Sequence, residues 1–285
     1  MRAILLLAEL WAASEIILLT GPLRGEALVY AAFAAFLLFC CALTYLVTFP
    51  PHVPHDAPVA RQLLPLQLGA LLLIIALTGW TLALHAHAIA VEPPLWSSID
   101  RHLGTWFAAV APSDLGPAMR SFAEEVLLVL VVLALLRVPL AKMGLGGFAP
   151  GSWSAAGIWL VLPFLAVAYT ILYADVSAAF VGRRLIHAFF STGFSEEFLF
   201  RGALFGRLRS FMPAQWAAFA QALAFALWRF GDNVAHSHNA ALAFALLIPA
   251  QAAFGYAMAM LVRRTGNLAI PALVHTTLAA VRELV

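Results

Sequence analysis

The chain has 285 residues, of which 64% are apolar and only 11% charged, against roughly half and a quarter in soluble domains, so no soluble core could hide its apolar side chains. The net charge of +2 is too small and too scattered for a nucleic-acid partner. Cys40 and Cys41 are adjacent in an apolar run, which excludes an ordinary disulfide framework and a spaced metal site.

Crossing a bilayer takes roughly 20 apolar residues, and runs of about that length recur at residues 3–20, 27–49, 64–91, 122–140, 153–174, 189–205, 213–230, 240–262 and 268–281. They are continuous and rich in Leu and Ala, without period-two alternation, so they read as helices and not as barrel strands. The expected fold class is all-α, a polytopic transmembrane helical bundle of about eight to nine helices.

The first run begins Met1-Arg2 like a signal peptide, but Glu9 and Glu15 interrupt it, so it reads as a retained first helix. Intramembrane acids often line polar pathways; these two either do so or face packed partners or the interface. Residues 50–54 and 144–147 are Pro- or Gly-rich loops. His85 and His87, two apart, point about 200° away from each other on a helix, which argues against joint metal ligation.

Near residues 95–110, Leu95, Trp96, Ile99, Leu103, Trp106, Phe107 and Val110 recur at helical spacing, with Asp100 and Arg101 off the stripe. This pattern predicts an amphipathic helix lying in the interface, with tryptophans at headgroup depth. Glu124-Glu125 is an adjacent acid pair with Val129, not Arg, four residues past the second acid. Both acids are expected to open the fourth helix, where the dipole favours negative charge.

Residues 1–150 thus read as N-terminal transmembrane helices with one interfacial helix, and the polar residues able to do chemistry gather after residue 190. If every run crosses, the N-terminal side collects Arg2, Arg61, Arg137, Lys142, Arg207, Arg209, Arg263 and Arg264, which leans toward a cytoplasmic N terminus in the cytoplasmic membrane.

Charges inside spans cost about 2.5–3.5 kcal/mol each on insertion scales, so the cluster Ser195-Glu196-Glu197-Phe198-Leu199-Phe200-Arg201 needs a reason. Glu197 and Arg201 are four apart and share a helix face, where they can pair. Glu196, about 100° round the helix, points elsewhere and is available as a base. A structural ion pair between packed helices is the other reading of the same residues.

Glu-Glu-x-x-x-Arg in this context resembles the first motif of the CPBP family (CAAX-processing and bacteriocin-processing, or Abi), a family of intramembrane glutamic endopeptidases. Phe254-Gly255-Tyr256, Arg263-Arg264-Thr265-Gly266-Asn267-Leu268 and Pro271-Ala272-Leu273-Val274-His275 resemble the family's approach to its last motif. The resemblance covers roughly residues 150–285 and implies a protease core over 151–285. It implies that Glu196 activates water, Glu197 and Arg201 support it, and His275 donates to the oxyanion. The implied activity is cleavage of a peptide bond near the C terminus of a membrane-anchored or lipidated substrate, with the lipid bilayer as the other partner. No cofactor is implied, and the sequence leaves open whether a metal ion sits near Glu196 and His275.

Two positions depart from the family pattern. The second motif reads Phe225-Ala226-Leu227-Trp228-Arg229, with Arg where His is expected, and Arg does not release its proton near neutral pH. In the last motif Ala279 stands where Asn is expected. On an unbroken helix His236, seven residues past Arg229, returns to nearly the same face as a surrogate; a break at Gly231-Asp232-Asn233 would instead leave it in a loop. Arg229 itself could grip a substrate carboxylate or a lipid phosphate. The departures motivate an alternative, a catalytically inactive CPBP-like scaffold or escort protein. A transporter using Glu9, Glu15 and the late acids is a third reading, lowered by the lack of an internal repeat.

Overall fold

The computed structural model describes residues 2–48, 61–173 and 176–284; residues 50–54 lie outside these ranges. Among the described residues the chain is helical without strands, with an isolated bridge between Leu145 and Asn267. Helices are the expected outcome for these runs, because a backbone in hydrocarbon must satisfy its own hydrogen bonds.

In chain order the helices are α1 (Arg2–Thr20), α2 (Arg24–Val47), α3 (Leu64–His85), α4 (Pro94–Val110), α5 (Gly116–Phe122), α6 (Leu128–Leu135), α7 (Ser152–Tyr173), α8 (Ala178–Ala188), α9 (Phe194–Glu197), α10 (Phe205–Leu208), α11 (Ala214–Trp228), α12 (Phe230–Ser237), α13 (Ala240–Leu246), α14 (Ala253–Thr265) and α15 (Ala269–Leu284). Wide π-helical turns at Ala123–Leu127, Phe189–Gly193, Phe198–Leu204 and Leu247–Ala252 join several of them end to end.

Among the described residues five helices are long and apolar enough to cross a membrane: α1, α2, α3, α7 and the continuous Ala240–Thr265. The other runs are not single helices of that length and composition: the 116–135 segment carries Arg120, Glu124 and Glu125, α11 has 15 residues and α15 has 16.

The chain divides into two compact units. In the first (Met1–Ala42, Val59–Trp96, Leu204–Met260), Ala3 and Leu7 of α1 pack with Phe219, Ala226, Leu247 and Ala252. Farther along α1, Leu18 packs with Ala27, Ala245 and Leu246. Glu15 is buried on this inward face, while Glu9 is exposed. Trp228 lies against Gly79, where a Cβ would meet its ring, and its indole N–H donates to Thr78 Oγ1 at 2.9 Å. Arg207, placed by sequence among loop charges, is buried and donates to Gln67 Oε1 at 3.4 Å. Trp96 is buried within the protein, its indole N–H donating to Thr81 Oγ1 at 2.7 Å.

The second unit comprises Leu43–Pro58, Ser97–Ala203 and Leu261–Val285. Here the fully buried Trp159 donates to Thr44 Oγ1 at 2.8 Å, and the Arg264 guanidinium lies 3.6 Å from the Tyr45 ring centroid. Asp100, expected off the apolar stripe of α4, is turned into the protein and pairs with Arg120 at 3.4 Å, while Ile99, Trp106 and Val110 are exposed. Glu124 and Glu125 are buried inside a helix that begins at Gly116, so they do not open it as expected. The helix starts earlier because Pro117 fits its first turn.

Candidate active site

The acid pair sits in a helical rod running from Ala178 to Leu208 through α8, α9 and α10. The single α-helical turn α9 holds Glu196 and Glu197, and a π-helical turn lies on each side of it. The Ser195 hydroxyl donates to the Phe190 carbonyl five residues back, the reach of a π turn. Such turns are rare and concentrate at functional sites, where they re-aim side chains within an otherwise regular helix.

Helix α15 packs against α7, α8, the 189–193 turn and α9. Gly193 permits this approach, since a Cβ there would overlap Thr276 Oγ1 and crowd the Thr276 Cα. The start of α15 is fixed by Asn267, whose Oδ1 accepts from Ala269 N at 2.7 Å and whose Nδ2 donates to the Gly146 carbonyl. Gly144 takes a left-handed φ of 77°, and Leu268 N donates to its carbonyl at 2.9 Å. Gly202, following Arg201, leaves room for the Met143 carbonyl. These contacts hold His275 over the acid pair.

The geometry joins four of the sequence-derived residues. Arg201 Nη1 lies 3.3 Å from Glu197 Oε1, both side chains fully buried. His275 Nδ1 is 2.9 Å from the same oxygen in a hydrogen bond. His275 Nε2 faces Glu196 Oε2 at 3.8 Å. Relative exposure is 1% for Glu196, 0% for Glu197, 1% for Arg201 and 8% for His275, so within this group the histidine has the most access to solvent. A buried cation and two buried carboxylates tolerate removal from water only when paired and hydrogen-bonded.

Arg229 and His236 belong to the first unit and have contacts there. The chain breaks at Arg229 (φ −84°, ψ 5°), between α11 and α12, and the break does not fall at residues 231–233. Arg229 pairs with Asp232 Oδ2 at 2.5 Å and stacks over Trp228, its guanidinium 5.1 Å from the ring. His236 lies in the last turn of α12, its Nε2 2.9 Å from Glu26 Oε2. In the same unit Asn233 and Gln251 exchange amide hydrogen bonds at 3.1 and 2.8 Å. Thr276 and Thr277 hydroxyls donate to Ala272 and Leu273 carbonyls one turn back, both at 2.7 Å. Ala279 lies on α15 one turn past His275 and brings no polar side-chain atom.

Sequence reading missed the Glu197–His275 bond, Asp232 as the partner of Arg229, and Gly193 as the point of helix contact. Asp232 was findable from its i,i+3 spacing. The other two join segments about 80 residues apart and leave no local signal. Among the described residues no group of three or more His, Cys, Asp or Glu is arranged to hold a metal ion.

An all-helical membrane protein with a buried Glu-Glu-Arg-His constellation is the class that fold and site define. Residues 179–281 match the family model of the type II CAAX prenyl endopeptidase Rce1-like proteins, in agreement with the family that the chain's motifs resemble. No curated protein and no solved structure matches the chain.

Proposed function

We propose that the chain is an intramembrane endopeptidase in which Glu196 activates water to hydrolyse a peptide bond near the C terminus of a membrane-anchored or prenylated substrate. Glu197 and Arg201 hold the site together, and His275 flanks the reacting water. The observation that carries this reading is the approach of Glu196 Oε2 and His275 Nε2 to 3.8 Å, too long for a direct hydrogen bond and close enough for one water beside them to meet both groups. The family match over 179–281 supports the reaction type and a membrane-bound substrate. Residues 151–285 form the protease core in this proposal and 1–150 its membrane support. The full set of about eight to nine spans, with a cytoplasmic N terminus in the cytoplasmic membrane, is testable by reporter fusions at each loop.

The test is cleavage of a fluorogenic peptide bearing a C-terminal prenyl-cysteine box, in liposomes containing the purified protein. Glu196→Gln is expected to lower the rate by about 10²–10⁴, the contribution of a positioned base, with the fold intact by circular dichroism. Equal cleavage by both proteins rejects Glu196 as the base.

Arg229 and Ala279, standing where the family carries His and Asn, favour a second reading, an inactive scaffold or escort protein. It predicts no turnover by the wild type.

A further inference from the structure

We infer that Glu197 fixes His275 as the Nδ1–H tautomer, so that Nε2 serves as a proton carrier between Glu196 and the leaving amine and not as an oxyanion donor. The inference rests on the endopeptidase reading above and assigns a different task to His275 than the family resemblance does.

Glu197 Oε1 is ion-paired with Arg201 Nη1 at 3.3 Å and hydrogen-bonded to His275 Nδ1 at 2.9 Å. The guanidinium keeps its charge and its ion-paired partner is a carboxylate, an acceptor only, so the imidazole nitrogen bonded to that oxygen is the one bearing hydrogen. The tautomer follows from the hydrogen-bond network. In the neutral ring the other nitrogen then carries a lone pair, and that nitrogen faces Glu196 Oε2 at 3.8 Å. A lone pair cannot donate to an oxyanion; it can take a proton.

The sequence leaves this task unassigned. Arg229 stands where the family's second motif carries its histidine, and its guanidinium does not surrender a proton near neutral pH. His275 already faces Glu196, and behind it Glu197 stabilises the imidazolium that would form, the role that a buried carboxylate plays behind a catalytic histidine elsewhere.

As the water oxygen bonds to the scissile carbonyl carbon, one water proton passes to the Glu196 carboxylate. That proton moves to His275 Nε2, giving an imidazolium held at Nδ1 by Glu197. Nε2 delivers it to the amide nitrogen as the C–N bond breaks, releasing the amine and regenerating the carboxylate and the neutral ring. The second water proton leaves with the new carboxyl group. No oxidant, reductant or other reactant is needed.

Two readouts test this. In histidine-¹⁵N-labelled protein, His275→Gln identifies the His275 resonances among the nine histidines; at neutral pH the wild type should show Nδ1 protonated and Nε2 as a lone-pair nitrogen. Glu197→Gln, whose amide can donate to Nδ1, should move the proton to Nε2. A protonated Nε2 in the wild type overturns the inference. In the liposome assay His275→Gln retains an N–H donor near the former Nε2 yet cannot carry a proton, so kcat is expected to fall about 10²–10⁴. Activity within tenfold of wild type overturns the carrier role and restores the oxyanion role. A wild type that cleaves nothing overturns the endopeptidase reading and the proton transfer with it, while the nitrogen spectrum still decides the tautomer.

Discussion

Removing Arg201 isolates a charge that has nowhere to go. Glu197 and Arg201 are both fully buried and 3.3 Å apart, and in Arg201→Met the carboxylate keeps its bond to His275 but loses the cation. Breaking a buried pair from one side costs about 3–5 kcal/mol, which at about 1.4 kcal/mol per decade is a loss of roughly 10²–10⁴ in the folding equilibrium. The Arg184–Glu283 pair supplies the control: its side chains are 41% and 36% exposed, and pairs of that kind contribute about 0–1 kcal/mol. The double variant Glu197→Leu/Arg201→Met removes both charges and is expected to be more stable than Arg201→Met alone, since apolar replacement of a buried pair is often neutral. Denaturant unfolding in detergent micelles, followed by tryptophan fluorescence, measures all three. If Arg201→Met unfolds no more easily than Arg184→Met, the pair does not hold the site and the burial argument fails.

Gly193→Ala is expected to destabilise the protein by about 1–3 kcal/mol, the usual cost of overpacking, because the new methyl meets Thr276. Adding Thr276→Ala should not restore stability, since the Thr276 Cα remains in the way; full recovery in the same unfolding assay contradicts the contact. Asn267→Ala removes the acceptor for Ala269 N and the donor to the Gly146 carbonyl; loss of a helix cap costs about 1 kcal/mol, and faster hydrogen exchange should appear in the first turn of α15.

Much of the fold was readable because an apolar run of bilayer length has few alternatives to a helix, and α1, α2, α3, α7 and Ala240–Thr265 follow such runs. The Glu197–Arg201 pair was readable because i,i+4 spacing is a local property. His275 was reached through the motif resemblance; its bond to Glu197 spans 78 residues and depends on how the loops at 144–149 and 265–268 interlock, which no periodicity encodes. The break falls at Arg229, two residues before the Gly231-Asp232-Asn233 stretch named as the alternative, and Gly231 stays helical in α12, close against Ala83. Pro117 hid the true start of the helix bearing Glu124 and Glu125, since a proline before an apolar run reads equally as a loop.

The two π turns around α9 behave as paired dislocations in an otherwise continuous rod, each accommodating a residue that a regular helix would not. Deleting one residue at Ser191 or Thr192 would let the first dislocation heal into a regular α-helical turn with the acids near their present azimuth, whereas inserting one residue there, beyond what the wide turn already absorbs, would swing them by about 100° relative to α8. Far-ultraviolet spectra would barely register so small a change in helix content. The site would survive the deletion and vanish with the insertion, through a change of phase alone.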